Sequence, residues 1–186
     1  MLPRFSLNEL KKEPAFRFLG LSLLFYLMWV FSYEYVLKPK TGLDESVIQH
    51  MVESSEWVYH RFDVPMESYI QPDSYKNRVG LQGYSGVQIG ASCDGLPLMA
   101  LFSIFILAFP GSWRRKLWFI PLGVIVLHMA NVMRVVALVW IQADSPEWLE
   151  FNHDYTFTVL VYGLVFALWY LWTIWGNEGR SQPLPS

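Results

Sequence analysis

Residues 117–141 read LWFIPLGVIVLHMANVMRVVALVWI, and this stretch decides the fold. It is predominantly apolar and exceeds the roughly 20 residues that a helix needs to cross a bilayer. Within it, His128, Asn131 and Arg134 follow at i, i+3 and i+6, so on a helix they share one face. An ionisable group at membrane depth is costly and by default marks a site. Arg134 stands seven residues before Ile141, about 10 Å below the helix end at ~1.5 Å per residue. From there it can snorkel outward to headgroup phosphates or serve a site. His128 is deeper, and packing is the simpler reading for it.

Three further apolar stretches extend this reading. Residues 15–37 are apolar on all faces, with Phe16, Trp29, Tyr33 and Tyr35 as interfacial flanks. Residues 96–109 are apolar but short for a span, and residues 155–175 are of full length. The expected fold is an all-α integral membrane protein of about four transmembrane helices. Composition agrees: 53% of residues are hydrophobic, 17% are aromatic and 16% are charged, against a usual charged share of about a quarter. Net charge is −2 and the basic residues form no stripe interleaved with aromatics, which gives nucleic-acid binding no support. The basic start of the chain would suit a signal peptide, but the apolar stretch is longer than a signal core and no small-x-small site follows, so it reads as a retained anchor.

Charge segregation sets the expected orientation. Arg4, Lys11, Lys12 and Arg17 stand at the amino terminus, Arg114, Arg115 and Lys116 join the second span to the third, and Arg180 follows the fourth. The third-to-fourth connection holds Asp144, Glu147, Glu150 and Asp154 without lysine or arginine, and the long loop holds more acids than bases. The expected layout is a cytoplasmic segment over 1–14, one membrane domain over 15–176 with an outer loop at 39–94, and a cytoplasmic tail over 177–186. A multi-pass protein of the inner (cytoplasmic) membrane with both termini inside follows from it.

The outer loop is too long to lack structure. Val47, Met51, Ser54 or Ser55, and Val58 recur at helical spacing, which predicts an outer-face amphipathic helix, with Trp57 and Tyr59 suited to an interface. Over 69–90, glycines alternate with Val79, Leu81, Tyr84, Val87 and Ile89, which predicts a short Gly-rich loop or hairpin of one or two strands.

This loop ends at Cys93, the only cysteine. It cannot form an intramolecular disulfide, so it is a reactive nucleophile, an acylation site or a small packing residue. The topology brings Cys93, Arg134 and His153 to one membrane face, and a thiol, a cation and an imidazole together suit cysteine-nucleophile chemistry. Gly83-Tyr84-Ser85-Gly86 matches the GxSG of rhomboid serine proteases, which would make Ser85 the nucleophile, but a turn is the simpler reading of four residues in a Gly-rich loop. His50, His60, His128 and His153 show none of the close pair spacings of zinc sites, so neither a metal nor a cofactor is expected.

Ser92-Cys93-Asp94-Gly95-Leu96, then Asn131-Val132-Met133-Arg134, then Asn152-His153-Asp154 resemble, in order, the motifs of the exosortase/archaeosortase transpeptidases. Val87-Gln88-Ile89, Phe109-Pro110-Gly111 and Phe151-Asn152-His153 look most like the compact F-type members. The likeness covers about residues 79–172. It implies cleavage of membrane-anchored target proteins near a C-terminal sorting signal, with transfer to an acceptor through a thioacyl-enzyme at the outer face. In that scheme Cys93 is the nucleophile. Arg134 favours the thiolate and binds the oxyanion, and His153 is the acid and base. Asn131 orients the guanidinium or binds substrate. Two non-enzymatic readings stand beside it, a polytopic scaffold or assembly protein and a small anion transporter, the latter disfavoured by the lack of polar residues in the other spans.

Overall fold

The computed structural model describes residues 14–70, 76–91 and 93–175, so most of the two expected cytoplasmic segments lies outside the described residues. Helix α1 (Pro14–Thr41) is followed after Gly42 by α2 (Leu43–His60). Strands β1 (Met66–Ile70), β2 (Lys76–Leu81) and β3 (Val87–Gln88) come next, and then α3 (Leu96–Ala108), α4 (Trp113–Asp144) and α5 (Pro146–Trp175). Helices α1, α4 and α5 are long and apolar enough to cross a membrane, whereas α3 is shorter, at 13 residues. The chain is thus an integral membrane protein of the all-α class with a small sheet.

Helix α4 is the spine, and its two halves serve two cores. The first half packs with α3 and α5 through Phe102, Ile106, Leu127, Val165 and Trp172. Gly123 permits this contact, because a Cβ there would lie 2.2 Å from the Phe102 ring. The second half packs with α2 and the sheet through Ile48, Met51, Val52, Val79, Val135 and Val139. At ~1.5 Å per residue α4 is about 48 Å long, well beyond a hydrocarbon core of about 30 Å, so its C-terminal third suits the covering that α2 and the sheet give it.

The amphipathic helix lies over the predicted stretch and buries Ile48, Met51, Val52, Ser55 and Tyr59, while Trp57 stays exposed. Tyr59 differs from its expected interfacial place: it is 2% exposed and its hydroxyl donates to the Val136 carbonyl across 2.6 Å. Burying a phenol with its polar tip bonded combines apolar area with a satisfied donor. The sheet is antiparallel in the order β1-β2-β3, with Ser68 opposite Val79 and Val79 opposite Val87, one strand more than expected. Ser85 stands in the β2–β3 turn, where Gln142 donates to its hydroxyl across 3.0 Å; no buried helix starts there.

Helix α1 buries nothing over Pro14–Ser32 and leans on α3 through Phe18, which meets Phe105 and Phe109 edge-on. Two of the basic residues read from sequence as orientation signals also cap helix ends. The Lys116 ammonium donates to the Leu107 and Phe109 carbonyls at 2.7 Å each, and Arg115 donates to the Trp175 carbonyl. Unpaired C-terminal carbonyls favour such cations. His128 meets His50 of α2, Nε2 to Nδ1, at 2.9 Å, so its packing role includes a polar link.

Candidate active site

Cys93 lies just ahead of α3, in a turn that three neighbours hold. Asp94 Oδ1 accepts from the Leu96 N–H at 2.9 Å, satisfying a helix-start donor that has no partner within the helix. Gly95 has φ +79°, a left-handed conformation that costs other residues about 1–2 kcal/mol. A Cβ at Gly95 would also come within 2.7 Å of Asn131 Nδ2. That same amide donates to the Cys93 carbonyl at 2.9 Å. The Cys-Asp-Gly-Leu run therefore reads physically as an aspartate-capped helix start pressed against α4.

His153 reaches the thiol from α5. It lies in a π-helical segment, Asn152–Thr156, preceding the regular helix Phe157–Trp175; such segments are frequent at functional sites. Its Nε2 is 3.1 Å from Cys93 Sγ, and its Nδ1 is 2.7 Å from Asp154 Oδ1. With Nδ1–H donated to Asp154, Nε2 is left to exchange a proton with the thiol. Arg134 approaches from α4 and donates through Nη2 to the His153 carbonyl at 3.2 Å, which also receives the Thr158 hydroxyl at 3.4 Å. Arg134 Nε is buried without a hydrogen-bond partner among the described residues.

Cys93, Asn131, Arg134 and His153 line one cavity of about 640 Å³, whose other walls include Trp29 of α1 and Tyr162 of α5. All four residues named from sequence are brought together. The Asn131 amide bonds to the Cys93 carbonyl and to Met51 Sδ, the latter at 3.8 Å. A second groove of about 650 Å³, beside Arg114, Trp118 and Trp175, holds no thiol or imidazole. No group of three or more metal-ligating side chains gathers among the described residues.

Sequence reasoning missed Asp154 and Asp94. Asp154 enters the sequence reading as an acid of its connection and within Asn152-His153-Asp154 but is given no role, although its place beside His153 is a usable signal. Asp94 is completely buried. Burial first of all pushes its carboxyl up to about 6, the Leu96 N–H works against this, and the nearby Asp44 carboxyl adds to it.

Among known proteins, the family model for transmembrane exosortases matches residues 10–176. No curated protein and no solved structure gives a significant match.

Proposed function

Because the chain belongs to the transmembrane exosortase family, we propose that it is a membrane cysteine transpeptidase with Cys93 as nucleophile. The observation that carries this reading is the 3.1 Å approach of Cys93 Sγ to His153 Nε2, made by residues from separate elements inside one cavity. The thiol passes its proton to His153 Nε2, and the thiolate adds to the scissile carbonyl of the target. Arg134, with an unused buried Nε–H, stabilises the tetrahedral oxyanion. As the C–N bond breaks, the leaving amine takes the proton from His153 and a thioester to Cys93 remains. An acceptor amine then loses a proton to His153, attacks the thioester and releases Cys93. Asp154 holds the imidazole in the tautomer this needs and steadies its protonated form. Asn131 acts by seating the Cys93 backbone.

The targets are membrane-anchored proteins with C-terminal sorting signals. The site faces the outside of the inner membrane and both termini face the cytoplasm, a placement supported by the segregation of basic residues. The likeness to the compact F-type members rests on the sequence pattern, and the family match is to exosortases as a whole.

The test is Cys93→Ala, with the mass of candidate target proteins followed in cells. Targets should accumulate at their unprocessed mass. Unchanged processing of every target would remove the transpeptidase reading.

A further inference from the structure

The Cys93 turn is anchored by a second polar arrangement that the proposed chemistry leaves unused. Asp94 of the turn, Asp44 of α2 and Tyr33 of α1 meet in the interior, at 0%, 6% and 8% exposure. Tyr33 stands in its own π-helical segment, Tyr33–Leu37, and its hydroxyl donates to Asp44 Oδ1 at 2.8 Å. The Asp94 carboxyl uses Oδ1 on the Leu96 N–H, and its other oxygen, Oδ2, is sealed from solvent without a donor among the described residues. Its neighbour is the Asp44 carboxyl, close enough to share a hydrogen bond. As two carboxylates, the pair would set acceptor against acceptor in a site closed to water, which is unfavourable twice over. One proton resolves both problems.

We propose that Asp94 carries the proton of its hydrogen bond to Asp44, and that this pair is the positioning element that seats Cys93. Asp44 then accepts from Tyr33 and from Asp94 Oδ2–H, while Asp94 Oδ1 still accepts from Leu96. Both Asp94 oxygens and Asp44 Oδ1 then have partners. The pair joins α1 and α2 to the turn that begins α3, so proton loss sets two buried like charges against each other directly behind the thiol.

The surrounding groups are consistent with a single proton. From α1 the pair meets Tyr33, with Glu34 acting on that hydroxyl from further out. From α4 the nearest polar group at the turn is the neutral Asn131 amide. Arg134 is engaged with the His153 carbonyl, and His153 with Cys93 and Asp154. The carboxyl of Asp94, pushed up to about 6, keeps its proton to a pH at which a surface aspartate has lost it.

The significance of this pair for catalysis rests on the reading of Cys93 as nucleophile, but its test does not. In the full-length chain in lipid nanodiscs, infrared difference spectra start at about pH 5, where surface aspartates are largely ionised. They should show a protonated-carboxyl band that titrates away with a midpoint near 6 and is absent from Asp94→Asn. Alkylation of Cys93 by N-ethylmaleimide should change several-fold in Asp94→Ala and in Asp44→Ala. At about pH 5, below the Asp94 midpoint, it should stay within about twofold of native in Asp94→Asn, because the asparagine amide reproduces both the donor and the acceptor of the acid. A band that persists in Asp94→Asn, or an asparagine variant as perturbed as the alanine one, overturns the proposal. Should the alanine variants not fold, the infrared arm decides alone. A chain that passes both arms yet processes no target keeps the proton pair and loses the transpeptidase reading.

Discussion

Asn131, midway along α4, donates its side-chain N–H to the backbone carbonyl of Cys93 across 2.9 Å. The Cys93 main chain is therefore tied to the longest helix among the described residues, and the tie passes through a gap that only a glycine at position 95 leaves open.

Asn131→Ala removes the donor and leaves a carbonyl short of a partner, at a cost of about 1–3 kcal/mol. Asn131→Asp sets a carboxylate against the same carbonyl and should cost more. Thermal unfolding in detergent gives the stability change, and the alkylation rate of Cys93 reports whether the turn has shifted.

Gly95→Ala combines a left-handed φ with a Cβ pressed into Asn131. We expect a loss of at least about 1–2 kcal/mol, together with a change in Cys93 reactivity. A variant as stable and as reactive as the native chain would mean that α3 and α4 separate more readily than their close contact implies.

Arg134→Lys should be nearly as damaging as Arg134→Ala, each lowering target processing by about 10²-fold or more. The guanidinium engages the His153 carbonyl with one nitrogen while another remains for the oxyanion. An ammonium cannot reproduce that planar fork. Single-turnover processing of a purified target distinguishes the two variants, and full activity in the lysine form would reduce Arg134 to bulk charge.

Asp154→Asn should slow processing by less than the ~10²-fold lower end of general acid–base contributions. The His153 and Asp154 side chains are 37% and 54% exposed, so solvent screens the pair. The loss should appear in the rate of the chemical step while Cys93 stays correctly seated, as its alkylation by a neutral reagent would show.

Asp94 gives the fold a pH dependence of definite sign. Its folded value, about 6, is above the ordinary 3.8, so the folded state binds the proton more tightly than the unfolded chain. Its contribution to stability is present below about pH 4, declines as pH rises through about 6, and is constant above that. The full swing is on the order of a few kcal/mol. Asp94→Asn should match native stability at about pH 4 and exceed it at neutral pH, a comparison that paired unfolding curves supply.

The large features were legible because they depend on pattern. Runs of apolar residues fixed the long helices, and helical spacing located α2 through Met51 and Ser55. Ordered polar residues in apolar text marked Cys93, Arg134 and His153. Contacts that depend on a single side chain's direction were not legible. Tyr59 has the composition of an interfacial anchor and is in fact core, because which way one tyrosine points depends on the packing of α2 against α4. Arg115 and Lys116 carry the charge of an orientation signal, and nothing in their order reveals that they also close helix ends. Asp44 and Asp94 are far apart in sequence and ordinary in composition, and only the fold brings them together.

Helix α3 contains 13 residues and α4 contains 32, and that inequality works as a ruler. The short helix begins at the level of Asn131 and ends where Lys116 gathers its last carbonyls, so its length sets how far along α4 the thiol is delivered. One added turn in α3 would move Cys93 by about 5 Å, out of step with both Arg134 and His153, without altering any residue that performs chemistry.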